Sequence, residues 1–441
     1  MTNGKSMDMT HGSLWNKILI FALPLAASSI LQQLFNSADV AVVGRFAGEQ
    51  ALAAVGSCVA LVGIFVNLIV GLSVGPNAAL ANLIGQKNRG KINSMVHTIL
   101  TFGAVLGIAL LVIGMLVARR ILVASGTPET VLDQALLYIR IYFVGIPFMV
   151  AYNFGSAIVR SYGDTRRPMY YLIVSGVLNV ILNLLLVIGF HLGVAGVAIA
   201  TVISNAVSAA LLFHRLCRST GAIRLDPRHL RLDGPTLRRI LRIGLPAGIQ
   251  SAVFALSNIV IQSAINSLGT VVMAASSAAF NIEVITYDIL NAFSQACTTF
   301  VGQNFGAGRL DRCKKTVVLC LAEGAVFLAA AIALILGFGK PLISLFNRDP
   351  EVIDTGYIRL MMVMLAHSFS LLYEVMSGYL RGFGISLTPA LLTMLGVCGV
   401  RISWVHWVFP GSRTFRTIML AYPISLSATA FMIFLALLIC R

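Results

Sequence analysis

Five carboxylic acid residues stand inside long apolar stretches of this 441-residue chain, where an ionised side chain is unexpected. They are Asp39, Glu283, Asp288, Glu323 and Glu374. If such a stretch crosses a bilayer, each charge near its centre costs at least about 2.5–3.5 kcal/mol. That cost disappears when the carboxyl group is protonated, binds a cation or lies in a water-filled cavity. The residues therefore suggest a chemistry in which carboxyl groups exchange ions with water.

Asp39 follows Gln32 and Asn36 at helical spacing, so the three polar side chains share one face of a helix. We predict that Asp39 accepts a proton or Na⁺, because neutral packing would be served by a further asparagine. For Asn36 alone, a hydrogen-bond cluster between helices is the better interpretation. A Na⁺ site at Asp39 is the only metal site that the sequence suggests.

Glu283 and Asp288 share one predicted helix but point about 140° apart, so a single cavity does not easily receive both. Tyr287 falls near the face of Glu283. We predict that Glu283 takes part in ion coupling and that Asp288 is a hydrogen-bond partner between helices. Glu323, near a basic helix end, is interpreted as a packing group.

Glu374 lies in the middle of an apolar stretch, and His367 precedes it by seven residues on the same helical face. A carboxylate and an imidazole on one wall suit a proton relay, although a histidine satisfied by its packing is the alternative for His367. Arg401 is also deep in an apolar stretch and needs a counter-charge, for which Glu374 or Glu283 is the natural candidate. The alternative is a structural pair that ties two helices together.

These residues must be positioned by membrane helices, because 58% of the chain is apolar, only 11% is charged and the mean hydropathy is +0.89. Soluble enzymes, DNA-binding domains and disordered proteins are excluded by this composition. The predicted fold is all-α, with twelve transmembrane helices. They span residues 17–44, 51–80, 93–118, 130–155, 167–190, 193–217, 237–266, 271–300, 314–338, 352–380, 389–410 and 414–440.

The net charge of +16 follows membrane topology rather than nucleic-acid binding. Most basic residues fall in alternate connections, which predicts a multi-pass protein of the plasma membrane with both termini in the cytoplasm. Arg140 and Arg359 are expected near the ends of spans. The exceptions, in the intervening connections, are Arg45, Arg119, Arg120, Lys340, Arg348, Arg413 and Arg416.

The two halves of the chain repeat each other. Leu23-Pro24 recurs as Leu245-Pro246, and Tyr138-Ile139-Arg140 recurs as Tyr357-Ile358-Arg359. We predict a lobe of six helices over 1–216, a basic cytoplasmic linker over 217–236 and a second lobe of six helices over 237–441, related by a pseudo-two-fold axis. Such parallel repeats often frame a binding site of a transporter.

Two motifs of soluble enzyme chemistry are absent: the chain has no GxxxxGK[ST] and no HExxH sequence. We therefore predict that the protein is not an enzyme, needs no cofactor and draws energy from an ion gradient. An intramembrane enzyme using His367 and Glu374 is the alternative from another class. The seven cysteines show no spacing typical of a disulfide framework or metal site.

The ordered set of motifs resembles the multidrug and toxic compound extrusion (MATE) transporters, and most closely their bacterial branch. The matching segments are Leu23-Pro24…Asn36…Asp39…Val43-Gly44-Arg45, Gly85-Gln86, Arg160–Thr165 and Arg381-Gly382-Phe383-Gly384. The resemblance implies two six-helix lobes and export of organic cations or amphipathic compounds in exchange for H⁺ or Na⁺. It also implies that Asp39 and Glu374 couple the ion, with Glu283 replacing an acid that relatives carry on the seventh helix.

The expected function is therefore a monomeric secondary antiporter of the bacterial inner membrane that works by alternating access. Its partners would be small amphipathic molecules and the lipid bilayer, without nucleic acid. A flippase for lipid-linked saccharides is the alternative within the same superfamily. The expected substrate cavity is lined by Gln32, Asn36, Asn179, Asn258, Gln262, Tyr287, His367 and Arg401.

Overall fold

The computed structural model of the protein describes residues 7–219 and 221–439, and these are almost entirely helical. Within that range twelve helices are long and apolar enough to cross a membrane. They are α1 Leu14–Phe46, α2 Glu49–Gly85, α3 Arg89–Ala124, α4 Glu129–Ser161, α5 Arg166–Gly189, α6 Gly193–Cys217, α7 Gly234–Asn266, α8 Thr270–Gly306, α9 Leu310–Gly337, α10 Pro350–Gly382, α11 Leu387–Gly411 and α12 Phe415–Ile439.

All twelve predicted spans are confirmed as helices, but most of the helices are longer than their apolar segments. The predicted span 51–80, for example, lies within the 37-residue α2. About 20 residues suffice to cross the hydrocarbon layer, so the extra turns carry the chain beyond it. Helix α11 contains two π-helical segments, Met394–Gly399 and Trp404–Val408, which hydropathy alone does not reveal.

The chain packs as two units. One contains Ala27–Leu241, and the other contains Asp8–Ala26 together with the chain from Arg242 onward. Helix α1, which has Pro24 in its interior, therefore contributes its first part to one unit and its remainder to the other.

In the first unit, α4 is the central helix and packs against α2, α3 and α6. Helix α3 approaches α4 closely because Gly103 and Gly107 carry no side chain at the contact. A methyl group on Gly107 would lie 2.8 Å from the Cα atom of Pro147, and one on Gly103 would lie 3.0 Å from the ring of Phe154.

In the second unit, α10 is the central helix and packs against α8, α9 and α12. Each of these helices is numbered six higher than its counterpart in the first unit. The two halves of the sequence therefore repeat the same helix packing. Helix α10 is the most buried of the twelve. Its Gly378 lies so close to α8 that a methyl group there would be 2.5 Å from the carbonyl oxygen of Ser294.

The segment that follows α6 is held against α3 in the first unit. Asn93 donates a hydrogen bond from Nδ2 to the carbonyl oxygen of Arg224, at 3.1 Å. His97 is buried and uses both ring nitrogens: Nδ1 lies 2.8 Å from the carbonyl oxygen of Asn93, and Nε2 accepts from the backbone N–H of Asp226 at 3.2 Å. Hydrogen bonds between the side chains of α3 and the backbone of the segment therefore hold it in place.

Residues 8–12 of the second unit are attached to the turn between α8 and α9 and to the first turn of α9. Arg309 donates to the carbonyl oxygen of Thr10 at 2.7 Å, and Arg312 donates to those of Met9 and Gly12. Within the segment, partial burial of Asp8 opposes ionisation. Hydrogen bonds from the Thr10 hydroxyl and N–H and from His11 outweigh it and lower the pKa of Asp8 to about 2.

Candidate functional site

Asp39, on the later part of α1, is bonded to neutral partners. Its Oδ1 accepts a hydrogen bond from Nδ2 of Asn183 on α5 at 2.5 Å, and its Oδ2 is 3.5 Å from the hydroxyl of Thr201 on α6. Tyr138 and Tyr142 of α4 lie near enough to interact with the carboxyl group electrostatically. No cationic side chain of residues 7–219 or 221–439 forms an ion pair with Asp39.

Two buried asparagines of α5, Asn183 and Asn179, form a polar cluster with Asp39. Nδ2 of Asn183 also donates to Oδ1 of Asn179 at 3.3 Å, and both asparagines are buried. Oδ1 of Asn183 is buried without a hydrogen-bond partner. The predicted cavity residue Asn179 therefore belongs to this cluster, together with Asn183 and Thr201, neither of which was a predicted cavity residue.

Gln32 and Asn36 lie on the same face of α1 as Asp39 but do not bond to the partners of Asp39. Both are exposed in their unit, and neither forms a hydrogen bond with Asp39 among the described residues. The helical spacing placed the three on one side of α1 correctly. It could not show that the partners of Asp39 come from α5 and α6.

Glu374 lies on the central helix α10 and is buried in the second unit. Its Oε1 accepts a hydrogen bond from the hydroxyl of Tyr287 on α8 at 3.0 Å. The Tyr287 ring stacks on Phe254 with 6.2 Å between centroids, and lies 6.3 Å from the ring of His367. Tyr287, predicted near the face of Glu283, is thus a partner of Glu374 instead.

His367 is buried, and its two ring nitrogens differ. Nδ1 lies 3.2 Å from the hydroxyl of Ser370, whereas Nε2 has no hydrogen-bond partner among the described residues. No hydrogen bond or ion pair joins His367 to Glu374, so the structure provides no direct relay between them. The expected alternative, a packing histidine with satisfied nitrogens, also fails at Nε2.

Arg401 on α11 is 2% exposed, and its expected pairing with Glu374 or Glu283 is wrong. Its Nε donates to the hydroxyl of Ser425, and its Nη1 donates to Oδ1 of Asn258, both at 3.2 Å. The guanidinium lies 4.3 Å from the ring centroid of Tyr422 and 5.4 Å from that of Phe254. Aromatic faces and neutral oxygens therefore surround this charge, since no carboxylate of the described residues pairs with it.

Glu283 on α8 pairs with Arg359 on α10. Nε of Arg359 donates to Oε2 of Glu283 at 3.0 Å, and Nη2 forms a second short contact with Oε1. Both residues are buried, and Nη1 of Arg359 also donates to Ser276 at 2.7 Å. Arg359, expected near the end of a span, is 2% exposed and ten residues into its helix. The arrangement is a fixed ion pair, which suits Glu283 to helix packing better than to ion exchange.

The remaining polar residues of this region are less connected. Gln262 on α7 is exposed in its unit and donates only to Asn266, at 2.8 Å. Asp288 forms no hydrogen bond or ion pair with the described residues. Glu323 is 1% exposed, and neither of its carboxyl oxygens has a hydrogen-bond partner there.

The two polar clusters occupy corresponding helices of the repeat and carry opposite charge. In the first unit, Asp39 of α1 bonds to Asn183 of α5. In the second unit, Asn258 of α7 bonds to Arg401 of α11. Helices α7 and α11 are six after α1 and α5, so one unit presents an acid and the other a base at the same helix pair.

Both halves of the chain match one protein family. The family model MatE matches residues 24–185 and 246–405, one stretch in each half of the repeat. The chain belongs to the MatE family, the MATE transporters. It is therefore a multi-pass membrane protein of a transporter family, as the resemblance of its motifs implied.

Among the curated MATE relatives, a probable multidrug resistance protein of Bacillus subtilis, YoeA, is 31% identical over 88% of this chain and 86% of its own length. The probable multidrug resistance protein NorM of Thermotoga maritima is 25% identical over 88% of this chain and 84% of its own. A protein of Shewanella oneidensis named FAD transporter is 28% identical over 73% of this chain and 72% of its own.

A solved structure confirms the fold. A multidrug resistance MATE family transporter in an outward-facing conformation matches the whole chain and 98% of its own, with a TM-score of 0.91 at 21% sequence identity. The all-α architecture of twelve helices is thus the MATE fold.

Proposed function

We propose that this MATE protein is a secondary antiporter of the bacterial plasma membrane that exports organic cations or amphipathic compounds in exchange for H⁺ or Na⁺. Both termini lie in the cytoplasm in this proposal, and the cycle is one of alternating access. The names of the Bacillus and Thermotoga relatives support multidrug export. The role of Asp39 in ion coupling is supported by its hydrogen-bond partners, which are all neutral.

A carboxylate with only amide and hydroxyl partners in an apolar helix is poorly neutralised. Asp39 has such partners in Asn183 and Thr201, whereas Glu283 already has the guanidinium of Arg359. Binding of a cation from water therefore lowers the free energy at Asp39 more than at Glu283. A proton or Na⁺ serves this purpose.

The oxygen atoms near Asp39 can bind either a proton or Na⁺. The carboxylate and the hydroxyl of Thr201 supply oxygen atoms, and the unpartnered Oδ1 of Asn183 adds an amide oxygen. Oxygen ligands are those that hard cations prefer. Occupation of Asp39 by the ion would withdraw it from Asn183 of α5, and this rearrangement is the proposed link to substrate release.

Glu374 is the second coupling residue in this proposal. When its carboxyl group is protonated, Glu374 is neutral and its burial on α10 costs little. The hydroxyl of Tyr287 can form a hydrogen bond with both the protonated and the ionised carboxyl group. Tyr287 stacks on Phe254, so a change in the charge of Glu374 can shift the aromatic side chains of α7 and α8 through Tyr287.

The test is efflux of ethidium from proteoliposomes that contain the purified protein, with a pH gradient and a Na⁺ gradient imposed separately. Wild type should respond to one gradient, and Asp39→Asn and Glu374→Gln should each lower gradient-driven efflux at least tenfold. Asp133→Asn, an exposed acid of α4, is the matched control and should transport as wild type does. Unchanged efflux in Asp39→Asn would contradict the coupling role.

A second candidate function follows from Arg401, namely export of compounds that carry an anionic group. The guanidinium is buried without a carboxylate partner among the described residues, and the nearby His367 has an unpartnered Nε2. The name of the Shewanella relative, FAD transporter, agrees with an anionic cargo. Both groups can donate to an oxyanion, His367 when Nε2 carries its proton.

Riboflavin and FMN differ only by a phosphate group and therefore test this second candidate. If the anionic cargo is correct, purified wild type binds FMN at least tenfold more tightly than riboflavin, and Arg401→Gln abolishes the difference. Equal binding of both flavins by wild type would exclude it and leave export of cations as the proposal.

A further inference from the structure

Three arginines of the first unit line one groove on the outside of α3 and α4. Arg119 and Arg120 come from α3 and Arg140 comes from α4, and the groove has a volume of about 540 Å³. Its other walls are largely apolar and include Leu116 and Val123, which are 73% and 53% exposed. The groove thus combines a cluster of positive charge with an apolar surface.

None of the three arginines has an ion-pair partner in the part of the chain that the structure describes. All three are exposed. Arg140 is the repeat counterpart of Arg359, whose charge is neutralised by Glu283 of α8. The corresponding helix α2 carries no acid after Glu49 at its start, so Arg140 lacks an equivalent carboxylate.

The positions of Arg119 and Arg120 along α3 match the polar layer of a bilayer, and the long side chain of Arg140 lines the same groove from a deeper position on α4. Helix α3 has 36 residues and is about 54 Å long, whereas a bilayer with its headgroups is about 40–45 Å thick. Arg119 lies about 7 Å before the end of α3, and Arg140 about 16 Å after the start of α4. Leu116 is one turn deeper than the α3 arginines, on the side of the hydrocarbon.

We propose that this groove binds an anionic phospholipid, with its phosphate on Arg119, Arg120 and Arg140 and an acyl chain along Met115 and Leu116. Guanidinium groups bind phosphate oxygens with paired N–H donors, and basic pockets between membrane helices are typical lipid sites. The site also accounts for two exceptions to the charge asymmetry, Arg119 and Arg120. They lie just beyond the predicted span 93–118, where the topology predicts few basic residues.

The test uses the full-length protein, purified and reconstituted in nanodiscs of phosphatidylcholine containing a small fraction of phosphatidylglycerol. Native mass spectrometry after release from the nanodiscs counts the phosphatidylglycerol molecules that remain bound. The variant is Arg119→Gln/Arg120→Gln/Arg140→Gln. The control Lys87→Gln/Arg89→Gln/Lys91→Gln removes the same charge from exposed residues of another connection.

Wild type and the control should retain phosphatidylglycerol, and the groove variant should retain at least fivefold less. A fluorescently labelled phosphatidylglycerol should be displaced by unlabelled phosphatidylglycerol but not by glycerol 3-phosphate at the same concentration, because the acyl chain is part of the site. Equal retention by the groove variant and the control would overturn the proposal. Displacement by glycerol 3-phosphate would overturn it too, because it would assign the groove to a soluble phosphate.

Discussion

Arg359 and Glu283 form a buried ion pair with two contacts, which joins the central helix α10 to α8 in the second unit. Tyr422 of α12 lies beside the guanidinium, with its ring centroid 5.5 Å away. The pair therefore links three helices of the unit. Burial removes both charges from water, so each depends on the other for compensation.

Replacement of Glu283 by Gln leaves Arg359 without its counter-charge and should lower the free energy of unfolding by about 3–5 kcal/mol. Thermal unfolding of the purified protein in detergent measures the effect. Glu351→Gln, an exposed acid at the start of α10, should cost less than about 1 kcal/mol. The double variant Glu283→Gln/Arg359→Gln should recover part of the loss, and no recovery would contradict the pairing as its cause.

Asn183 should set the ion affinity of Asp39, because its amide both donates to the carboxylate and carries the unpartnered oxygen. A hydrogen bond to a charged group contributes about 1.5–3 kcal/mol. We expect Asn183→Ala to lower at least tenfold the ion concentration that half-saturates transport, because the ion-free carboxylate loses the donor that stabilises its charge. Asn67→Ala is the control, since the exposed Asn67 bonds only to the backbone of its own helix. A shift of equal size in both variants would argue against a local effect.

Gly378 should be essential for the packing of α8 against α10. An added methyl group would lie 2.5 Å from the Ser294 carbonyl oxygen and 3.0 Å from its hydroxyl. Gly378→Ala should therefore destabilise the protein by about 1–3 kcal/mol, as overpacking does. Gly337→Ala, with no atom within 4 Å of the new methyl group, should be neutral or stabilising. Thermal unfolding compares the two, and equal stability would refute the close approach.

His97 should control access to the segment that follows α6. Phenylalanine at this position fills a similar volume but loses both hydrogen bonds, including the one from Asp226. We expect trypsin to cleave after Arg224 and Arg228 about tenfold faster in His97→Phe than in wild type. The exposed His214 gives the control His214→Phe, which should be cleaved at the wild-type rate. An unchanged rate in His97→Phe would mean that other contacts hold the segment.

The attachment of residues 8–12 should weaken at low pH. The pKa of Asp8 is about 2 in the folded protein and 3.8 in its ordinary state. Its contribution to stability is therefore complete above about pH 4 and disappears as the pH falls through about 2. Asp8→Asn should lower the unfolding temperature at pH 7 but not near pH 2. A difference that persists at the lower pH would exclude the carboxylate as its source.

The sequence predicted the helices because each apolar stretch must satisfy its own backbone in lipid. It also predicted Asp39, Glu374 and Glu283 as ion-coupling residues and Arg401 as a residue of the substrate cavity, and these roles stay predictions. It could not predict their partners, because a neighbour such as Asn183 lies 144 positions away and its orientation depends on helix rotation. The spacing of Glu283 and Tyr287 was correct for one helix face, but Tyr287 bonds to Glu374.

Arg359 was the main residue that sequence reasoning misplaced. Its repeated Tyr-Ile-Arg motif suggested a span end shared with Arg140, yet one arginine is buried and the other is exposed. The difference follows from Glu283, which has no counterpart on α2. A comparison of acids between the two halves, helix by helix, would have revealed it.

The shared neighbours of α4 and α10 mean that duplication supplied two equivalent frames rather than two equivalent sites. Each frame carries its own polar side chains, an acid on α1 in the first unit and a guanidinium on α11 in the second. The arrangement of the helices is therefore shared by the two units, whereas the charge that they present is not.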